Sequence, residues 1–237
     1  MITTDNITKS FGNYTVIDDL SFNVKESEIL CLLGANGAGK STTINILLNF
    51  IHPDKGIAKI NGLDVVKNPV KTKKFLTYIP ENLMLYPTLS AIENLDYFTK
   101  LSGKKFSVEE LKVFLSEAGL EEPAHKKYIN TFSKGMRQKV GIALAIAKKS
   151  KVLLLDEPTS GLDPKSSNDF IMLLKKMKEK GVAILMATHD LFRAKEVSTH
   201  IGIMRSGLLE NHSETSNLSL KQLEEIYLDI MNFKNVI

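Results

Sequence analysis

The segment Gly34-Ala35-Asn36-Gly37-Ala38-Gly39-Lys40-Ser41 decides the fold, because it matches the pattern G-x-x-x-x-G-K-[ST] in full. It follows an apolar run over residues 29–33 and precedes a predicted helix over residues 40–49. Glycines let the backbone wrap closely around phosphate oxygens, and the helix N-terminus adds positive partial charge. We expect Lys40 to neutralise the β- and γ-phosphates of a nucleotide, and the Ser41 hydroxyl to reach Mg²⁺. The segment therefore predicts nucleotide binding, against the alternative of a glycine-rich turn that carries Lys-Ser by chance.

A second segment, Val152-Leu153-Leu154-Leu155-Asp156-Glu157-Pro158, reads as a buried strand that ends in two carboxylates. Ligands of open α/β sheets bind at the carboxyl ends of the strands, so these side chains are expected beside the phosphate loop. Asp156 is placed to hold Mg²⁺, directly or through water. Glu157 is placed to orient or deprotonate an attacking water. Alone, such a run is equally typical of a capped strand end; together with the phosphate loop it indicates nucleotide hydrolysis.

The composition is that of an ordinary globular protein of 237 residues, with 43% hydrophobic and 24% charged residues. The net charge of +4 is spread along the chain, which favours a solvated surface over a nucleic-acid interface. The single cysteine, Cys31, lies in an apolar run and has no second cysteine to pair with. We find no secretion signal and no apolar stretch approaching the roughly 20 residues that span a bilayer. We therefore expect a cytoplasmic protein that binds no nucleic acid and meets the membrane through a partner.

Hydrophobic patterning divides the chain into a sheet-forming core and a helical insertion. Strands are predicted over residues 2–11, 16–24, 29–33, 57–60, 75–79, 151–156 and 182–188, with a terminal hairpin over 201–209. Apolar residues recur at helical spacing between residues 82 and 150. The pattern predicts an α/β protein with a mostly parallel sheet, helices on both faces and an inserted helical subdomain.

We interpret residues 1–237 as a single domain. Residues 1–81 and 151–210 form its catalytic core, residues 82–150 a helical subdomain, and residues 211–237 a helical tail. The tail contains Ser219 and Gln222, which predict a capping box at the start of its helix.

The segment Thr131-Phe132-Ser133-Lys134-Gly135-Met136-Arg137-Gln138 carries a family resemblance. It resembles the signature of the ATP-binding-cassette (ABC) family, whose common form is Leu-Ser-Gly-Gly-Gln, with Ser133 and Gly135 at matching positions. Residues 160–163 look like the D-loop of that family, and His189 stands where the family has its switch histidine. The resemblance extends to about residue 210. It implies the P-loop NTPase fold of ABC ATPases, with an N-terminal antiparallel β-subdomain.

The resemblance also implies a head-to-tail dimer, formed with itself or with a paralogue. The nucleotide would lie on one chain's loop, with seven residues in the binding set: Asn36, Gly37, Ala38, Gly39, Lys40, Ser41 and Thr42. Ser133 and Gly135 of the other chain would cover it. His189 would contact the γ-phosphate, with a satisfied histidine at a strand end as the alternative. Asp163 would act between subunits, or serve only as a helix N-cap.

An aromatic residue stacks on adenine in this family, and Phe11 stands at the corresponding position. Tyr14 is a nearby competitor for that role, and either ring could instead pack in the core.

The sequence departs from the family pattern in two places. Glu81 stands where the family usually carries glutamine; its carboxylate can still reach Mg²⁺ or the water, but it cannot donate a hydrogen bond. In the signature, Lys134 and Met136 replace the first glycine and the glutamine; Lys134 and Arg137 would add charge near the partner's phosphates or simply face solvent. With these departures the chain looks like a subgroup that drives exporters of drugs, antimicrobial peptides, ions or polysaccharides.

The function that the resemblance implies is ATP hydrolysis that powers export through a separate transmembrane permease, with ATP and Mg²⁺ as cofactors. The chain would then lie on the inner face of the cell membrane. The docking surface is expected over residues 82–95, where Leu85, Tyr86 and Pro87 look exposed; the alternative is that they close the subdomain's own core. The competing hypotheses are a soluble ABC protein that acts on nucleic acid or the ribosome, and a P-loop kinase or GTPase outside the family.

Overall fold

Two β-sheets form the frame of the molecule, in a computed structural model that describes residues 1–232. The strands are β1 (Ile2–Phe11), β2 (Tyr14–Val24), β3 (Ile29–Leu33), β4 (Lys55–Ile60), β5 (Leu63–Asp64), β6 (Leu76–Ile79), β7 (Val152–Asp156), β8 (Ala183–Thr188), β9 (His200–Arg205) and β10 (Leu208–Glu214). The helices are α1 (Lys40–Leu47), α2 (Pro69–Lys73), α3 (Ala91–Leu101), α4 (Val108–Glu117), α5 (Lys134–Lys148), α6 (Pro164–Glu179), α7 (Leu191–Val197) and α8 (Leu220–Asn232). Single 3₁₀ turns lie at Glu122–Ala124, Ile129–Thr131 and Thr215–Asn217.

The N-terminal sheet is antiparallel, in the order β2-β1-β4-β5. The central sheet has the order β10-β9-β3-β8-β7-β6. All its pairings are parallel except the hairpin of β9 with β10. The predicted α/β class, with a mostly parallel sheet and an antiparallel N-terminal part, is confirmed.

Strand β7 shows why the central sheet is buried on both faces. Leu153 and Leu155 point into one apolar core, which continues into the helical subdomain, while Val152 and Leu154 point into a second core between the two sheets around α1. Truncating a fully buried leucine such as Leu154 to alanine typically costs about 2–5 kcal/mol. Burial on both faces makes β7 a rigid strand, and it ends at the carboxylates of Asp156 and Glu157.

Capping boxes begin two helices of the subdomain. Ser90 with Glu93 caps α3, and Ser107 with Glu110 caps α4. Both helices turn apolar faces onto α5, so that residues 91–148 fold against one side of the central sheet.

Strand β10 extends to Glu214, further than the predicted hairpin. Its residues alternate between exposed and half-buried, and polar residues lie on both faces. Because neither face is apolar, the sequence shows no hydrophobic alternation that would predict this edge strand. Residues 211–214 thus pair with β9 instead of opening the helical tail. The helix α8 begins after Ser219, whose capping box with Gln222 is present. Residues 233–237 of the predicted tail lie outside the described residues.

Among residues 1–232, no helix is long and apolar enough to cross a bilayer.

Candidate nucleotide-hydrolysis site

The loop between β3 and α1 requires glycine at two positions for steric reasons. A Cβ on Gly39 would lie 2.7 Å from the Val16 carbonyl oxygen, and the φ of +104° is one that L side chains rarely adopt. A Cβ on Gly34 would lie 2.5 Å from the carbonyl oxygen of Met204. The loop therefore packs directly on β2 and β9, which fixes its path into helix α1.

Lys40 lies along the inside of this loop. Its Nζ donates hydrogen bonds to the carbonyl oxygens of Gly34, at 2.7 Å, and Ala35, at 3.1 Å. Burial lowers the pKa of Lys40, and the negative charges of Glu157 and Asp156 oppose that shift. The arrangement holds a cation against the loop, close to the two carboxylates that follow β7.

Ser41 and Asp156 present two oxygen ligands side by side. The Ser41 hydroxyl donates to Asp156 Oδ1 over 3.1 Å. Burial raises the pKa of the Asp156 carboxyl, the Ser41 hydrogen bond opposes the rise, and the charge of Glu157 adds to it. A carboxylate that burial destabilises gains most from a nearby cation. The pair fits Mg²⁺, which proteins hold through one or two side-chain oxygens while phosphates and water complete its shell.

Glu157 occupies an unusual backbone position at the end of β7. Its φ is +46°, in the left-handed region, and its N–H donates to the Ala187 carbonyl oxygen over 2.9 Å. The carboxylate oxygen Oε2 accepts from the Thr188 hydroxyl at 3.3 Å and lies 3.0 Å from Nδ1 of His189. The neighbouring strand β8 thus supplies the groups that orient the carboxylate.

The side chains of Glu157 and His189 differ in their exposure to solvent. The Glu157 side chain is 15% exposed and that of His189 is 58% exposed. A carboxylate held by two partners in a partly desolvated place is suited to accept a proton from water. His189 is not among the residues that line the cleft, but its ring is exposed and contacts Glu157, which lines it.

Glu81, which follows β6, faces the same cleft. The cleft encloses about 230 Å³. Its walls combine the phosphate loop with the acidic side chains and one apolar residue: Val16, Asn36, Gly37, Ala38, Gly39, Lys40, Ser41, Thr42, Glu81, Asp156 and Glu157. The structure therefore brings together the predicted loop residues and the three predicted carboxylates.

Ser133, Gly135 and Asp163 are not among the residues that line the cleft. Ser133 is the N-cap of α5, where its Oγ accepts from the Met136 N–H at 3.3 Å. Gly135 packs on α6, where an added Cβ would lie 3.2 Å from Ser166 Cβ.

Asp163 caps α6 through hydrogen bonds from the Ser166 hydroxyl, at 2.5 Å, and the Ser166 N–H, at 2.9 Å. These bonds lower the pKa of Asp163. Each of the three residues thus has a structural role in its own chain.

Phe11 and Tyr14 stand opposite each other across the β1–β2 turn. Both rings are exposed, so the alternative that one of them packs in the core is wrong. The Lys9 ammonium lies 5.4 Å from the centroid of the Phe11 ring. The turn displays the rings because a two-residue connection, Gly12-Asn13, leaves both at the sheet's end.

Four further residues contribute to the site, and the sequence alone predicts none of these contacts. Val16 supplies apolar wall, Thr188 orients Glu157, and Ser160 donates to Glu81. The buried amide of Gln138 donates to the carbonyl oxygen of Pro158, which ties α5 to the segment after Glu157. The role of Gln138 could have been predicted, because it is a polar residue on the apolar face of a predicted helix. The role of Val16 could not, because it looks like an ordinary strand residue.

Comparison with known proteins agrees with this geometry. The family model described as "ABC transporter" matches residues 17–160. The linearmycin resistance ATP-binding protein LnrL of Bacillus subtilis (strain 168) is 36% identical over 213 residues, which are 87% of this chain and 67% of LnrL. The bacitracin transport ATP-binding protein BcrA of Bacillus licheniformis is 35% identical, over 99% of this chain and 72% of BcrA.

Solved structures show the same fold. An ATP-binding subunit of an ABC transporter superposes with a TM-score of 0.85 at 29% identity, covering 98% of this chain and 99% of that one. The cassette MJ0796, in a dimeric post-hydrolysis state bound to ADP and Pi, superposes with a TM-score of 0.80 at 26% identity, covering 91% and 99%. The chain therefore belongs to the ABC transporter family, in which it is an ATP-binding, ATP-hydrolysing subunit.

Proposed function

We propose that this subunit powers export through a separate transmembrane permease, by ATP-driven closure of a head-to-tail dimer. The observation that carries the proposal is the division of the site within one chain. The cleft holds the phosphate loop and the carboxylates, whereas Ser133 and Gly135 do not line it. LnrL is named for linearmycin resistance and BcrA for bacitracin transport, which supports export as the direction.

In the proposed hydrolysis, the loop and Lys40 hold the phosphates of ATP, and Glu157 accepts the proton of the attacking water. Thr188 and His189 fix the carboxylate that does so. His189 would also contact the γ-phosphate. Mg²⁺, when held by Ser41 and Asp156, would supply positive charge to the phosphate oxygens. Phe11 or Tyr14 would stack on the adenine ring.

The second half of the site would come from a partner chain. The N-terminus of α5 offers the Ser133 hydroxyl and backbone N–H groups to an anion, as helix N-termini do. Because one chain carries both the loop and this turn, two copies suffice for two complete sites. The dimeric MJ0796 structure supports this arrangement.

Light scattering of Glu157→Gln tests the dimer. With ATP–Mg²⁺ its mass should double, and without nucleotide it should stay that of a monomer. Ser133→Arg in the same background should still bind ATP but remain monomeric, because the bulky cation blocks the turn. A Glu157→Gln protein that binds ATP–Mg²⁺ and stays monomeric would contradict self-dimerisation.

The permease would dock on the loop after Glu81 and the start of α3. Met84 is 82% exposed and Tyr86 is also exposed, whereas Leu85 is half-buried and packs on the core of the subdomain. The expectation that Leu85 is exposed is therefore wrong. Buried Asn94 holds this loop: its Oδ1 accepts from the Tyr86 N–H at 2.8 Å, and its amide donates to the Tyr86 carbonyl at 3.1 Å. An apolar surface on a pre-shaped loop suits a protein partner.

Co-purification with the permease tests this surface. Met84→Asp with Tyr86→Asp should abolish the complex while ATP binding by the free subunit is retained. Val113→Asp, at an exposed apolar position on α4, is the matched control and should leave the complex intact. Equal recovery of the permease with both variants would exclude this docking surface. Through such a complex, the subunit would lie on the inner face of the cell membrane.

A further inference from the structure

Glu81 and Lys134, which both stand at positions where the sequence departs from the family pattern, meet in the structure. Lys134 Nζ lies 3.7 Å from Glu81 Oε1. The same carboxylate oxygen accepts a hydrogen bond from the Ser160 hydroxyl at 3.2 Å. The end of β6, the first turn of α5 and the loop after β7 thus converge on one carboxylate.

The contact between Glu81 and Lys134 matters because the cleft already carries several negative charges. Glu81, Asp156 and Glu157 all line the cleft, where Lys40 faces them. Nucleotide phosphates bring further negative charge to the same place. A carboxylate at the position where the family usually carries a neutral amide repels those phosphates unless a cation offsets it or holds it aside.

We infer that Lys134 is a positioning residue for Glu81: with Ser160 it holds the Glu81 carboxylate at the wall of the cleft, so that a charged residue can stand beside bound ATP. Lys134 acts here within its own chain, on the chain's own nucleotide, in addition to anything it does at a partner's site. The inference rests on ATP binding to the loop, and it needs neither the dimer nor the permease.

A thermodynamic cycle on ATP affinity tests this role. ATP binding is measured by calorimetry in EDTA, with light scattering used to verify that the protein is monomeric. Any effect of Lys134 then arises within one chain and without Mg²⁺. The variants are Lys134→Gln, Glu81→Gln and the double variant, with Lys134→Arg as the conservative replacement.

The expected result is that Lys134→Gln weakens ATP binding more in the presence of Glu81 than in the Glu81→Gln background. The ratio of the two effects should be about two- to five-fold, as for a partly exposed ion pair. It should shrink at high salt, because salt screens exposed charges. Lys134→Arg should restore binding, since it keeps the cation.

Lys139→Gln is the matched control, because Lys139 lies on the same helix and pairs with Asp169 at 3.4 Å, away from the cleft. It should leave ATP affinity unchanged. Equal effects of Lys134→Gln in the two backgrounds, including no effect in either, would overturn the inference, since Lys134 would then act independently of Glu81. Thermal unfolding of each variant separates these outcomes from misfolding.

Discussion

The ring nitrogen Nδ1 of His189 lies 3.0 Å from Oε2 of Glu157, so the two side chains touch across neighbouring parallel strands. The contact follows from the register of β7 with β8, in which Asp156 is opposite Ala187. Each of the two residues begins the segment after its own strand. Their separation is therefore set by the rigid centre of the sheet and not by flexible loops. We expect them to act as one unit in hydrolysis.

Replacing Glu157 by glutamine removes the proton acceptor but keeps the size of the side chain. Turnover should fall by about 10²–10⁴-fold, the usual contribution of a positioned acid or base, while ATP binding is retained. Phosphate release and ATP titration measure the two effects separately. Near-full turnover would exclude Glu157 as the base.

His189→Ala removes a group that contacts and orients Glu157. Turnover should fall by about 10²–10³-fold, as when a single transition-state contact is lost. The double variant with Glu157→Gln should be scarcely worse than Glu157→Gln alone, because residues that act as a unit are non-additive. Multiplicative losses in steady-state rates would show that the two act separately.

Lys40→Met removes the cation that lies inside the loop. ATP affinity should fall about 10- to 100-fold, the loss expected for charge-assisted hydrogen bonds. Calorimetry with ATP measures this, and Lys139→Met serves as the control for loss of a lysine elsewhere. Unchanged affinity in Lys40→Met would remove Lys40 from the phosphate site.

Asp156→Asn should separate stability from function. Burial raises the pKa of Asp156 above its ordinary value, so the folded state favours the protonated form. That contribution to stability is present below the unfolded-state pKa and is lost as pH rises through the folded-state pKa. At neutral pH the ionised carboxylate therefore opposes folding.

The asparagine variant should accordingly have a higher Tm than the parent at neutral pH, and the gain should shrink as pH falls into the range of an ordinary aspartate. Each kcal/mol regained raises Tm by about 2–4 °C in a domain of this size. Calorimetry across pH measures the gain, and Mg²⁺-dependent turnover should be lost in the same protein. A lower Tm at neutral pH would contradict the electrostatic argument.

The sequence predicts well those features that a periodic pattern or a complete motif encodes. The apolar run before Asp156 predicts a strand buried on both faces, and the two apolar cores that flank β7 explain why. The glycine-rich pattern predicts the loop, and the closeness of Val16 and Met204 to its glycines shows the steric cause. Residues 210–214 of β10 are not predicted because their stability comes from pairing with β9 and not from their own composition.

The contact between Glu81 and Lys134 escapes prediction for a different reason. The two residues lie on different elements, and their distance depends on how the helical subdomain packs against the end of β6. Leu85 shows the same limit, since the neighbouring Met84 is exposed while Leu85 packs inward. No local pattern distinguishes adjacent apolar residues in an irregular loop.

The left-handed backbone at Glu157 has a consequence for stability. Glycine and asparagine enter that conformation more easily than glutamate does, so the main chain is least suited to the residue that the reaction needs there. Glu157→Gly and Glu157→Asn should therefore yield proteins that are as stable as the parent or more so, yet inactive. The glutamate at position 157 thus serves the reaction and not the backbone.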